Sequence, residues 1–199
     1  MTTFEMLTRE YPYLMGFIKV GLLATFGELL AVRIARGKWA LPVGLWMKAI
    51  IWGLLGMSFA LMFPVFGGGV AAASTAGLLP QGDKLLTALL ISTLMNICFA
   101  PVMMGFHRIT DTFIDLAEGR MSQLGQVRLR DVVGHIDWYG FVSFVVLRTI
   151  PLFWIPAHTV TFLLPAEYRV LFSALLSVAL GAILSMAKRS KPKAKPAQK

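Results

Sequence analysis

A chain of 199 residues with 57% hydrophobic residues, only 15% charged ones and a mean hydropathy of +0.71 is too apolar for a water-soluble domain of this size. Its formal charge of +9 invites a nucleic-acid reading, but the placement of the basic residues along the chain argues for membrane topology instead, and the basic C-terminal tail has no interleaved aromatic residues to stack on bases. The single cysteine, Cys98, excludes an intrachain disulfide and a thiolate metal cluster.

Five apolar stretches, at 14–32, 46–63, 85–106, 138–164 and 166–187, are separated by short charged connections. About 20 apolar residues span a hydrocarbon core of about 30 Å as a helix. The chain therefore predicts an all-α, polytopic transmembrane helical bundle of about five spans, with one domain at 1–187 and a disordered basic tail at 188–199. Aromatic anchors mark the boundaries: Tyr11 and Tyr13 before the first span, Trp46, Trp138 with Tyr139, and Tyr168 at later ones.

The first stretch is too long for a typical secretory signal core, carries Lys19 and Glu28, and is followed by no small-x-small cleavage site, so it is expected to remain as a span. Its small and polar residues Gly21, Ala24, Thr25, Glu28 and Ala31 recur at steps of three and four and so share a face turned into the bundle. Lys19 lies near the span's end and is expected to snorkel to the interface.

After the second stretch, Pro64 and the glycine-rich run at 67–82 read as a loop or a partly re-entrant segment. A phosphate cradle would need a lysine and a hydroxyl after the glycines, and neither follows. The third stretch places Ser92, Asn96 and Ala100 on one stripe, then Pro101, whose missing N–H frees a carbonyl one turn earlier.

The connection that follows, HRITDTFIDLAEG, sets His107, Asp111 and Asp115 four residues apart on one face. An amphipathic interfacial helix between spans three and four is the expectation here. With His135, these residues also allow a surface metal hydrolase as a lesser alternative. Without a third histidine, a glutamate base or a tight cysteine set, no metal ligands, catalytic residues or cofactor are assigned.

Arg148 lies about ten positions into the fourth stretch, with Pro151, Pro156 and His158 beyond it. An arginine near mid-membrane costs at least about 2.5 kcal/mol on the mild insertion scale, so it is expected to find a partner, with Glu28, freed carbonyls and Asn96 as candidates. In the fifth stretch Ser173, Ser177, Gly181 and Ser185 recur at strict steps of four, a seam for close helix packing.

Charge sets the orientation. If all five stretches cross, thirteen of the nineteen Lys and Arg residues fall on one side: Arg33 to Lys38, Arg108 to Arg130, and the C-terminal tail. Only Arg9, Lys84 and Arg169 fall on the other, which places the C-terminus in the cytoplasm or matrix. The tail is expected to touch anionic lipid.

Three blocks resemble the Mpv-seventeen and peroxisomal-membrane-protein family of small integral proteins. They are Tyr11-Pro12 with Gly21 and Gly27-Glu28, then Phe99-Ala100-Pro101 with Gly105, then residues 153–172 followed by the closing Leu-Ser at 184–185. The resemblance implies a membrane pore or a permeability-regulating role and no catalytic residues. It also implies a bacterial cytoplasmic membrane, with mitochondrial inner or peroxisomal membranes as alternatives. The family is usually described with four spans, whereas the charge pattern here favours five.

These readings converge on a non-enzymatic membrane protein that forms or modulates a pathway for small solutes. Glu28, Asn96, Arg148 and His158 are the candidate pathway residues. Lipid is the expected partner, with a homo-oligomer as one option. The alternative is a structural or partner-binding membrane protein in which the same residues form a dry polar knot.

Overall fold

The computed structural model describes residues 2–189, and all regular elements among them are helical. A short helix at Thr3–Glu10 comes first, capped by Thr2, whose side chain accepts from the Glu5 backbone N–H while Glu5 reaches back to the Thr2 backbone N–H. This reciprocal pair satisfies two otherwise free donors of the first turn.

Among the described residues, four helices are long and apolar enough to cross a membrane: Pro12–Arg36, Leu45–Thr75, Trp138–Leu163 and Ala166–Met186. The pair Lys84–Cys98 and Ala100–Leu116, bent by 42°, makes a fifth crossing when its arms count as one. These are called spans one to five in chain order, the bent pair being span three. The bundle therefore has the all-helical architecture that the apolar periodicity predicts.

Span one packs against spans two and five, and the first arm of span three packs against the end of span four. Lipid tails are as apolar as leucine, so such contacts depend on close fit rather than on escape from water. Gly16 of span one and Gly56 of span two provide that fit, since a Cβ on Gly16 would lie 2.5 Å from the Gly56 carbonyl oxygen. Larger residues at this crossing would push the two helices apart.

Span two departs from the expected loop after Pro64. Its helix continues through Pro64 and all three glycines at 67–69 to Thr75. Glycine and proline lower helix propensity in water, but in an apolar solvent the helix's own carbonyls are the backbone's best hydrogen-bond partners. The turn begins only at Ala76, and Asp83 then caps the next helix by accepting from the Leu86 N–H at 2.9 Å.

The bend in span three falls at Phe99 and Ala100, directly before Pro101. A proline there removes one rung of the ladder and pushes its ring against the preceding turn, which accounts for the kink. Most of the segment expected to be a separate interfacial helix, including His107, Asp111 and Asp115, is the second arm of this span. The connection after it holds a 3-10 turn at Met121–Gln126 and a short helix at Leu129–His135.

Span four is π-helical over Phe141–Trp154 and α-helical over Ile155–Leu163. The wider ring shows in the Thr149 hydroxyl, which donates to the Phe144 carbonyl five residues back at 3.0 Å. π-Helix is rare beyond a single turn, and Pro151 inside it removes a further donor. Span five is helical to Arg189, which takes in the first two residues of the tail expected at 188–199 and corrects that expectation for them, and the rest of the tail, 190–199, lies outside the described residues.

Two charged residues sit elsewhere than expected. Lys19 is buried rather than snorkelling: its Nζ donates to Thr8 Oγ1 at 2.7 Å and sits 4.3 Å over the Phe4 ring, so the N-terminal helix roofs it over. Arg148 faces outward from the π-helical segment and, among the described residues, has no hydrogen bond or ion pair. The expected pairing of Arg148 with Glu28 does not form, and Glu28 bonds Trp52 instead.

Candidate functional site

Polar residues that sequence spacing scatters along spans one to five gather here in a line through the bundle. At its centre, Ser92 and Asn96 of span three are fully buried. Ser92 Oγ donates to the Ile155 carbonyl at 2.7 Å, which ties span three to the π-to-α junction of span four. Asn96 Nδ2 donates to the Ser92 carbonyl at 2.8 Å.

His158 completes this group. Its Nδ1 lies 3.0 Å from Asn96 Nδ2 and 3.2 Å from Asn96 Oδ1, so the pair is bonded in either imidazole tautomer. The ring stacks on Trp154 at 5.1 Å and meets the edge of Phe63 at 6.1 Å. Aromatic walls on two sides fix the imidazole plane.

Asn96 and His158 line a cavity of about 240 Å³ whose wall also carries Glu28, Trp154 and the serines 173 and 177. Two buried polar atoms on that wall, Trp154 Nε1 and Ser173 Oγ, have no partner. Buried polar groups are nearly always bonded, so an unpartnered donor and hydroxyl beside a cavity mark room for water or a solute. The small residues of span five, expected as a packing seam, thus form part of a cavity wall.

Glu28 marks the cavity's lower end and joins it to a second cluster. Its Oε1 accepts from Trp52 Nε1 at 2.6 Å, and the Trp52 ring lies 4.1 Å from that of His107. Below it, Lys48 Nζ pairs with Asp115 Oδ1 at 2.9 Å and approaches Asp111 Oδ2 at 3.8 Å. Carboxylate oxygens of Glu28 and Asp111 and a ring nitrogen of His107 lie within 4.8 Å of one another.

A second cavity, of about 220 Å³, lies toward the opposite end, bordered by Arg9, Lys19, Phe63, Pro64, Glu167 and Arg169 among others. Pro64 lacks an N–H, so this wall of the cavity has one helical hydrogen bond fewer. Arg9 Nε donates to Glu167 Oε1 at 2.5 Å, and Arg169 donates to the Leu164 and Phe162 carbonyls at 3.0 and 3.1 Å.

The structure thus brings Glu28, Asn96 and His158 to one cavity and leaves Arg148 off its wall. His107 and Asp111 meet Glu28 rather than Asp115 or His135. Asp115 is held by Lys48, and His135 Nδ1 lies 2.7 Å from the Asp131 carbonyl in the exposed connection. Lys48 and Trp52 are the residues that sequence reasoning missed. A lysine and an indole N–H one turn apart near a span's start are the signal, but the spacing does not say which acids they meet.

No protein-family model matches the chain, and neither does any curated protein or solved structure. The functional reading therefore rests on this site.

Proposed function

We propose that this integral membrane protein forms or modulates a pathway for small solutes running between spans one, two and five. The observation that carries the reading is the placement of the two cavities at successive heights along the same three helices. The outer one is bordered by Gly16 and Lys19 of span one, Phe63 and Pro64 of span two, and Glu167 and Val170 of span five. The inner one takes Ala24 and Glu28, Trp52 and Phe59, and Ser173 and Ser177 from those helices.

A thin aromatic layer separates them. Phe63 borders the outer cavity, Phe59 the inner one, and their rings stack at 5.9 Å, while Phe162 meets Phe63 edge-on at 5.2 Å. An apolar constriction of this kind closes a pore by excluding water, and a rotamer change at one ring opens it. The conformation described here is the closed one in this reading.

The resemblance to the Mpv-seventeen and peroxisomal-membrane-protein family points to the same class of role. The basic clusters favour a cytoplasmic or matrix C-terminus, with a bacterial cytoplasmic membrane as the setting and anionic lipid at the basic end. A second reading, a dry structural knot without transport, is favoured by one observation: Ser92, Asn96 and His158 bond one another in full burial.

Permeability separates the two. Purified protein in liposomes should pass small solutes or ions, Phe63→Ala should raise the rate, and replacing Asn96 should alter rate or selectivity without blocking insertion. Vesicles as tight as protein-free controls with both the parent protein and Phe63→Ala would give the structural reading the place of this one.

A further inference from the structure

We infer that Glu28, His107 and Asp111 form a binding site for one divalent first-row transition-metal ion, with Zn²⁺ or Mn²⁺ chemistry. Spans one and three supply the ligands: Glu28 comes from mid-helix in span one, and His107 and Asp111 lie one turn apart on the second arm of span three. The site lies below the inner cavity and extends beyond the solute-pathway reading without depending on it.

Three observations converge on it. His107 Nε2 and Asp111 Oδ1 are both shielded from solvent and both lack a hydrogen-bond partner. Their separation is 3.8 Å, too long for a hydrogen bond. Ligands held about 2.0–2.2 Å from one ion stand roughly 3–4 Å apart, so this pair is spaced as two atoms that share an ion are. Glu28 brings the third donor within 4.8 Å of the other two.

Charge balance gives the ion's valence. Lys48 bonds Asp115 at 2.9 Å and also pairs with Asp111 at 3.8 Å, so its single positive charge faces three carboxylates, those of Glu28, Asp111 and Asp115, and two negative charges remain uncompensated. One dication neutralises them. Trp52 Nε1, donating to Glu28 Oε1 at 2.6 Å, fixes the orientation of that ligand from outside, as residues behind metal ligands commonly do. One imidazole with two carboxylates and no thiolate suits Zn²⁺, Mn²⁺ or Fe²⁺ better than copper(I), and the nitrogen favours these over Mg²⁺ and Ca²⁺.

The experiment uses tag-free, full-length protein in detergent, freed of metal and titrated with Zn²⁺ and, separately, Mn²⁺. Saturable binding of one ion per chain is expected, with a rise in thermal midpoint. Glu28→Gln and Asp111→Asn should each weaken binding at least tenfold, while His135→Gln in the exposed connection should leave it unchanged.

Binding that survives Glu28→Gln and Asp111→Asn but is lost in His135→Gln would overturn the assignment in favour of surface chelation. A midpoint that responds to pH and not to either metal would overturn it in favour of proton uptake by the carboxylates. Should the variants aggregate, Co²⁺ added to the parent protein decides: intense four- or five-coordinate absorption supports the site, and the spectrum of the aqueous ion alone refutes it. Binding is read in detergent and permeability in vesicles, so the two proposals fail separately.

Discussion

Trp52 and Glu28 meet across spans two and one, the indole N–H donating to the carboxylate at 2.6 Å. This contact sets the position of the one acid that belongs both to the inner cavity and to the cluster below it. A hydrogen bond to a charged group is worth about 1.5–3 kcal/mol, and an acid left without its donor at this depth loses more than the bond. Trp52→Phe keeps the ring and removes only the donor.

Trp52→Phe and Glu28→Ala should therefore each lower the thermal midpoint in detergent. The double variant should lose less than the two losses added together, because once one partner is gone the other has no bond left to break. Strict additivity in a double-mutant cycle would show that the contact contributes nothing.

Arg148 makes the opposite case. It faces outward without a partner among the described residues, so Arg148→Leu should leave the thermal midpoint within about 0.5 kcal/mol of the parent or raise it. Combined with Glu28→Ala, the effects should add. A coupling of several kcal/mol between the two positions, measured by the same cycle, would contradict the outward orientation.

The N-terminal helix should respond to acid. The Thr2 backbone N–H and the Tyr168 hydroxyl, the latter at 2.9 Å, hold the Glu5 carboxyl below its ordinary value. A folded pKa below the unfolded one contributes stability that is present above the unfolded value and lost as pH falls through the folded one. Exchange of the backbone amides at Thr2 and Glu5, the two held by the capping pair, should accelerate as pH drops below about 4.5 relative to the intrinsic exchange rate, and Glu5→Gln should remove that dependence. The same relative rate in both proteins across the range would show that Glu5 does not secure the helix.

Topology is accessible to labelling. With Cys98 replaced by alanine, cysteines at Ser74 and Ser122 should react with a membrane-impermeant thiol reagent from opposite sides, since one crossing lies between them when the bent pair traverses the bilayer. Reaction from the same side would make the bent pair a re-entrant loop. The outcome also decides whether the basic clusters share one face, as the charge pattern requires.

Hydropathy and length were enough to locate all five helical stretches, because an apolar run of about 20 residues has few alternatives in a membrane solvent. Local rules failed where solvent changes their meaning. Pro64 and the glycines at 67–69 read as a loop by propensities measured in water, yet they are helical, and an apolar solvent favours backbone groups that bond within their own helix. Pro101 was legible as a break, and the bend falls there.

Side-chain partners were another matter. Glu28, Asn96 and His158 stood out as polar residues in apolar spans, and the cost of burying polarity is a property of each residue alone. Which of them meet depends on rotations and heights of separate helices, which spacing within a single helix does not encode. Arg148 faces outward from the π-helical part of span four, and the N-terminal helix folds over Lys19. Trp52, rather than Arg148, became the partner of Glu28 because the glycine contact of spans one and two brings those two helices close enough for an indole to reach a carboxylate.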